Sequence, residues 1–91
     1  MPRPKKLRYL QFSPNVYYFK PQGIPLSILE EVTLEPDELE TLKLHDVDGL
    51  EQTEAAEKMR ISQSTFARVL DKTYKKIADA IINGKAIRII K

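Results

Sequence analysis

Residues 50–72 read LEQTEAAEKMRISQSTFARVLDK, which is the pattern of two short helices joined by a tight turn. The first helix is predicted from Gln52 to about Met59, with small residues on the side expected to pack inward. A break follows at 60–61, and Ser62 is a residue typical of a helix N-cap. The stretch therefore predicts a helix-turn-helix, a motif whose second helix enters the major groove of DNA.

The second predicted helix, the recognition helix of the motif, is long and has one apolar and one polar side. It is expected to span about 62–83 and to end at Gly84, since glycine accepts the left-handed conformation that follows many helices. Its apolar positions keep helical spacing for about five turns. They are Phe66, Val69, Leu70, Thr73, Ile77, Ala80 and Ile81.

The polar side of the recognition helix is the predicted DNA-binding surface. Arg68 is suited to guanine and Gln63 to adenine, and Ser64 is suited to a base edge or a phosphate. Lysines on this helix are suited to phosphates, which gives affinity without sequence information. The predicted contact residues are Gln63, Ser64, Thr65, Ala67, Arg68, Lys72, Lys75 and Lys76.

One residue of the turn departs from the usual pattern. The turn of a helix-turn-helix commonly places glycine in a left-handed conformation, and here Arg60 stands at that position, at a cost of about 1 kcal/mol. An ordinary bundle of three amphipathic helices also fits the spacing, so it stays open as an alternative at this point.

The charges are separated along the chain. Residues 1–20 carry a net charge of +5, residues 21–57 carry −10 and residues 58–91 carry +7. Two basic ends around an acidic middle favour a polyanionic partner. The alternative is that acidic residues are merely common at the starts of helices. Six acidic side chains are expected to face away from DNA: Glu30, Glu31, Glu35, Asp37, Glu38 and Glu40. Two alternatives stay open for them, a merely solvated surface or a surface that touches RNA polymerase or another protein.

The N-terminal segment, residues 1–14, combines three prolines with basic residues and is predicted to be an extended arm. Its bases are expected to follow a DNA backbone or to enter a minor groove, as homeodomain arms do. A solubilising tail is the alternative. The four bases are Arg3, Lys5, Lys6 and Arg8.

The remaining segments flank the helices. Residues 15–34 are predicted to hold a short strand and then a short helix from Pro25 to about Glu31. Residues 35–84 form the predicted helix-turn-helix domain, whose first helix has an apolar stripe that includes Val47. Residues 85–91 read as a second strand, predicted to pair antiparallel with the first, within one chain or exchanged between two. Exchange would produce a homodimer. Five aromatic residues in the N-terminal part of the chain are expected to be core rather than base-stacking side chains: Tyr9, Phe12, Tyr17, Tyr18 and Phe19.

Composition argues against catalysis and against metal or membrane binding. The chain has no cysteine, which excludes disulfides, thiolate metal sites and cysteine nucleophiles. No apolar run reaches the roughly 18 residues of a membrane span, and no signal-peptide pattern follows the basic start, so a cytoplasmic protein is expected. The lone His45 near Asp46 and Asp48 is interpreted as a helix-end residue rather than a metal ligand. We expect neither an enzyme nor a cofactor.

Several motifs resemble known families. The segments LEPDE at 34–38, GLEQTEAAEKM at 49–59 and ISQSTF at 61–66 resemble region four of sigma factors. The whole chain is more similar still to a family of small prokaryotic proteins, domain of unknown function 134, regarded as DNA-binding. The motifs that carry this resemblance are MPRPKK at 1–6, PNV at 14–16, YFKP at 18–21, GIPL at 23–26, LETL at 39–42 and NGKA at 83–86. The resemblance implies a helix-turn-helix that binds DNA.

Together these features predict a mainly α fold, with a three-helix core that contains the helix-turn-helix and a two-stranded β element from the two ends of the chain. The expected function is sequence-selective binding of duplex DNA as a transcriptional regulator, and the expected assembly is a homodimer. The alternative is a protein-interaction module that uses a sigma-like fold to bind RNA polymerase. RNA binding is a third, lesser hypothesis.

Overall fold

Helices and three short strands form the regular structure of residues 9–91, the part of the chain that our computed structural model describes. The helices hold far more residues than the strands, so the expectation of a mainly α fold is confirmed. The elements are β1 (Tyr18–Phe19), a 3-10 turn (Leu26–Ile28), β2 (Glu31–Leu34), α1 (Pro36–Leu42), a π-helical turn (Lys43–Val47), α2 (Gln52–Met59), α3 (Gln63–Asn83) and β3 (Ala86–Ile89). The bases of the predicted arm lie outside the described residues; they are Arg3, Lys5, Lys6 and Arg8.

The sheet has three strands in the order β1-β3-β2, so the prediction of two strands was incomplete. The antiparallel pairing of the two end segments is confirmed within one chain, with Tyr18 opposite Arg88 and Phe19 opposite Ile87. On its other side β3 runs parallel to β2, where Val32 is opposite Ile87. β3 is therefore the central strand, and both neighbours depend on it for their backbone hydrogen bonds.

The predicted helix from Pro25 to about Glu31 was wrong. Only a single 3-10 turn forms there, and its apolar residues Leu26 and Ile28 are 67% and 72% exposed. Without a buried apolar face, this segment gains little from a longer helix. The next residues include the β-branched Val32, and they pair with β3 instead.

Helix α1 begins as predicted, with Pro36 at its start and Glu35 as its N-cap. The backbone N–H of Glu35 donates to Glu38 Oε1 at 2.8 Å, which is one half of a capping box. The helix then widens into the π-helical turn, and this changes which side chain points inward. Leu44 is buried, whereas Val47, predicted to belong to the apolar stripe, is 72% exposed.

The core lies where the π-helical turn, α2 and α3 meet. Met59 of α2 and Phe66 of α3 are fully buried, and burying one such side chain contributes about 1.5–3 kcal/mol. Ala56 is also buried in this cluster, which agrees with the expectation of a small residue where α2 and α3 cross. Ile61 packs against the cluster from the turn between the helices.

Helix α3 begins and ends where the sequence predicts. Ser62 is its N-cap, and Gly84 follows it with φ of 65° in the left-handed region. The prediction that Ile81 belongs to the buried apolar stripe was wrong, since Ile81 is 71% exposed although Ala80 beside it is buried. Ile81 borders a surface groove next to Phe19 rather than the core. None of the helices within residues 9–91 is both long and apolar enough to cross a membrane.

Candidate nucleic-acid interface

The turn between α2 and α3 sets the direction in which α3 leaves α2. Arg60 ends α2 in the left-handed conformation, with φ of 58° and ψ of 44°. The N–H of Ile61 donates to Ala56 O at 3.1 Å, and Ser62 Oγ accepts from Thr65 N at 3.2 Å. The first bond satisfies a carbonyl at the end of α2, and the second satisfies an N–H group at the start of α3. The turn therefore forms with both helix ends hydrogen-bonded, although its left-handed residue is an arginine and not a glycine.

The side of α3 opposite the core is exposed, polar and basic over its first three turns. Phe66 and Leu70 are buried, and helical spacing therefore turns the intervening positions outward. The predicted contact residues that share this exposed surface are Gln63, Ser64, Ala67, Arg68 and Lys72. We call these five residues the α3 outer face. Ala67 has no bulk, so the longer side chains around it remain accessible from outside.

Three of the predicted contact residues are placed differently from the outer face. Thr65 is half-buried and accepts a hydrogen bond from Ser62 Oγ at 2.9 Å, so its hydroxyl supports the N-cap. Lys75 is exposed and lies 3.1 Å from Asp71, one helical turn before it, which offsets part of its charge. Lys76 Nζ donates to Glu38 Oε1 at 2.8 Å and to Thr33 O at 2.7 Å, so its ammonium group is turned toward α1 and β2.

The acidic middle of the chain is less solvated than the sequence predicts. Asp37, Glu38 and Glu40 are 8%, 2% and 3% exposed. Glu38 caps α1 and binds Lys76, while Glu40 Oε1 accepts the backbone N–H of Phe12 at 2.9 Å. These carboxylates therefore have structural partners, and the interpretation of this stretch as a solvated acidic surface was wrong for them.

A contact that the sequence did not predict joins the N-terminal segment to the turn. The backbone N–H of Tyr9 donates to Met59 O at 3.0 Å, at the end of α2. The guanidinium of Arg60 lies over the Tyr9 ring, 4.5 Å from its centroid. Tyr9 is 43% exposed and Phe12 is 39% exposed, so the expectation that these aromatic residues are core was wrong. No local pattern links positions 9 and 60, because the contact spans 51 residues of chain.

The middle of α3 is tied to the π-helical turn by one tyrosine. The hydroxyl of Tyr74 donates to the Asp46 carboxylate, at 2.8 Å and 2.7 Å from its two oxygens. Partial burial and this carboxylate raise the pKa of Tyr74 to about 12. Nearby, His45 Nδ1 lies 2.8 Å from Leu50 O, so the histidine closes the turn that leads into α2. These contacts brace the segments behind the α3 outer face.

The fold and this surface define a small, mainly α protein with an exposed basic helix face. The chain belongs to the family described as Protein of unknown function DUF134, whose profile matches residues 1–91. A UPF0251 protein of Caldanaerobacter subterraneus subsp. tengcongensis is 56% identical over 89 residues, covering 98% of this chain and 75% of the relative. UPF0251 proteins of Thermoanaerobacter pseudethanolicus and Dehalococcoides mccartyi are 52% and 54% identical over 89 residues, again 98% of this chain, and these matches cover 75% and 76% of the relatives. No solved structure matches the chain.

Proposed function

We propose that the protein binds duplex DNA through a helix-turn-helix formed by α2, the turn at residues 60–62 and α3. The observation that carries the proposal is the α3 outer face, which is exposed while Phe66 and Leu70 hold the opposite side of the helix in the core. A helix presented in this way fits the major groove, because its N-terminal side chains project without backbone rearrangement. Transcriptional regulation is the role that we propose for this binding.

The residues of the outer face differ in the contacts that they can make. Arg68 has a planar set of donors that matches the O6 and N7 acceptors of guanine. Gln63, at the first position of α3, can pair with adenine by one donor and one acceptor. Lys72, two turns from Ser64, is placed for a phosphate and gives affinity rather than sequence preference. Lys76 is left out of the proposed surface because Glu38 and Thr33 engage its ammonium group.

The alternative function is a protein-interaction module that uses a sigma-like fold to bind RNA polymerase, and acidic side chains are one surface that such a partner could contact. Asp37, Glu38 and Glu40 are buried, and Glu31 accepts two hydrogen bonds from Arg88 at 3.0 Å and 2.8 Å. These four residues are therefore engaged within the fold, although other acidic residues, Glu30 among them, are exposed. DNA is the partner that the described surface favours, and the polymerase hypothesis becomes an outcome of the test.

Binding is tested with the full chain and a pool of random duplexes, from which preferred sites are selected and their affinities measured at several salt concentrations. On a preferred site, Arg68→Ala should cost about 1–3 kcal/mol and flatten base preference at one position. Lys75→Ala is the matched control on the same helix and should weaken all duplexes about equally. A wild-type protein without salt-dependent duplex binding would contradict the proposal, and uniform losses in both variants would contradict the role of Arg68.

The predicted homodimer is retained as part of this proposal, with a changed surface. β1 and β3 pair within one chain, so strand exchange is not needed to satisfy them. The groove lined by Phe19, Ile81 and Ile87 is apolar and exposed, and a second copy would cover it. In sedimentation experiments the wild type should be dimeric and Ile81→Lys monomeric. A monomeric wild type would contradict the dimer without affecting the DNA-binding proposal.

A further inference from the structure

Arg60 combines a left-handed backbone with a side-chain contact to Tyr9, and the fold does not require an arginine at this position. Its left-handed backbone would be less strained with glycine, since a side chain at this φ costs about 1 kcal/mol. Its side chain is exposed, and its guanidinium carbon lies over the Tyr9 ring, 4.5 Å from the centroid. Tyr9 is itself fixed to the end of α2 by its N–H bond to Met59 O at 3.0 Å.

The stack orients the guanidinium and leaves its donors available. Among residues 9–91, no hydrogen bond or ion pair engages the Arg60 guanidinium, and its only partner there is the aromatic ring. An arginine stacked on a ring face keeps its N–H groups in the plane of the guanidinium, where they can bind a phosphate by two parallel hydrogen bonds. The side chain is therefore preorganised for an anion that presents two acceptor oxygens, such as a phosphate group.

The position of Arg60 in the fold indicates which anion it would meet. Arg60 lies two residues before Ser62, the N-cap of α3, in the turn that precedes the proposed recognition helix. When the N-terminal end of such a helix enters a major groove, the segment before it faces the phosphates at the groove edge. From the stack, the free donors and this place in the fold, we infer that Arg60, positioned by Tyr9, binds a backbone phosphate of duplex DNA and sets the depth of α3 in the groove.

This inference rests on the proposed function and adds one contact to it. A bidentate contact at this point would secure the register of α3 without reading a base.

The test compares three single variants with the wild type on one selected duplex. Arg60→Gly should lower affinity about tenfold and reduce the slope of log affinity against log salt by about 0.9, the value for one phosphate contact. Its Tm should equal or exceed that of the wild type, because the left-handed strain is relieved. Lys20→Gln is the matched control: it removes one positive charge near Ile81 at the far end of α3, about 30 Å of helix away. It should lower affinity by less than threefold, since charges beyond a Debye length of about 8–10 Å are screened.

Tyr9→Leu separates the stack from the charge, because it removes no charge. It should lower affinity about threefold, and adding it to Arg60→Gly should cause no further loss, since the two residues act as a unit. Additive losses would overturn the inference, as would an Arg60→Gly effect no larger than that of Lys20→Gln. If the wild type bound no duplex, the proposed function itself would fail, whereas retained wild-type binding with an unaffected Arg60→Gly would reject only this contact.

Discussion

Replacing Lys76 with methionine tests whether this lysine belongs to the core or to the basic helix face. Its Nζ lies 2.8 Å from Glu38 Oε1 and 2.7 Å from Thr33 O, and the Glu38 side chain is only 3% exposed. Methionine keeps most of the length of the side chain but removes the charge and both hydrogen bonds. Within residues 9–91 the buried Glu38 carboxylate would then lack a cationic partner, and its other oxygen, Oε2, has no hydrogen-bond partner there to offset this loss.

The magnitude follows from the burial of the pair. Breaking a buried ion pair by removing one partner costs about 3–5 kcal/mol. The Lys76 side chain is 23% exposed, so some water reaches the pair and the lower end of this range, about 3 kcal/mol, is expected. For a chain of 91 residues this corresponds to a decrease in Tm of about 12–24 °C.

Urea unfolding followed by circular dichroism measures this loss, with Lys75→Met as the control on the same helix. The Lys75 side chain is 78% exposed in its pair with Asp71, so Lys75→Met should cost less than about 0.5 kcal/mol. Adding Glu38→Gln to Lys76→Met should restore part of the stability, because the uncompensated charge is removed. Equal costs for the two lysine variants, or no restoration by Glu38→Gln, would refute the assignment of Lys76 to the core.

Three further predictions concern the bracing tyrosine, the central strand and the end of α3. The pKa of Tyr74 is raised to about 12 from 10.0, so its protonated hydroxyl contributes stability fully below pH 10, and this contribution is lost as the pH rises through about 12. Tyr74→Phe should therefore delete the last step of a tyrosine absorbance titration, and an unchanged curve would contradict the raised pKa. Truncation after Gly84 removes β3, the partner of both other strands, and should lower the Tm by more than about 10 °C; an unchanged Tm would mean that the sheet adds nothing to stability. Gly84→Ala should lower the Tm by about 4–8 °C, since φ is 65° and the added Cβ meets only Ile24 at 3.8 Å; a Tm equal to that of the wild type would show that the backbone relaxes there.

Helix ends and the turn were predictable from the sequence because their causes are local. The side chain of Ser62 accepts a hydrogen bond from a backbone N–H only three residues away. Gly84 adopts the left-handed conformation that ends the helix, which depends on its own backbone alone. The outward position of the α3 outer face follows from 3.6-residue spacing once Phe66 is placed inside. The left-handed conformation of Arg60 was also predictable from the sequence, since the spacing leaves one left-handed position between the two helices.

Features that depend on distant partners were decided only by the tertiary structure. β2 forms because β3 offers Val32 and its neighbours a parallel partner; the β-branched residues of the segment favour a strand, but they do not indicate which strand it pairs with. Ile81 is exposed although its spacing fits the apolar stripe, because no element of residues 9–91 packs over that side of the end of α3. Lys76 and Lys72 are the same residue type on one helix, yet Lys76 meets Glu38 and a strand carbonyl. Periodicity orients a side chain about its own helix, whereas packing decides which element, charge or ring it meets there.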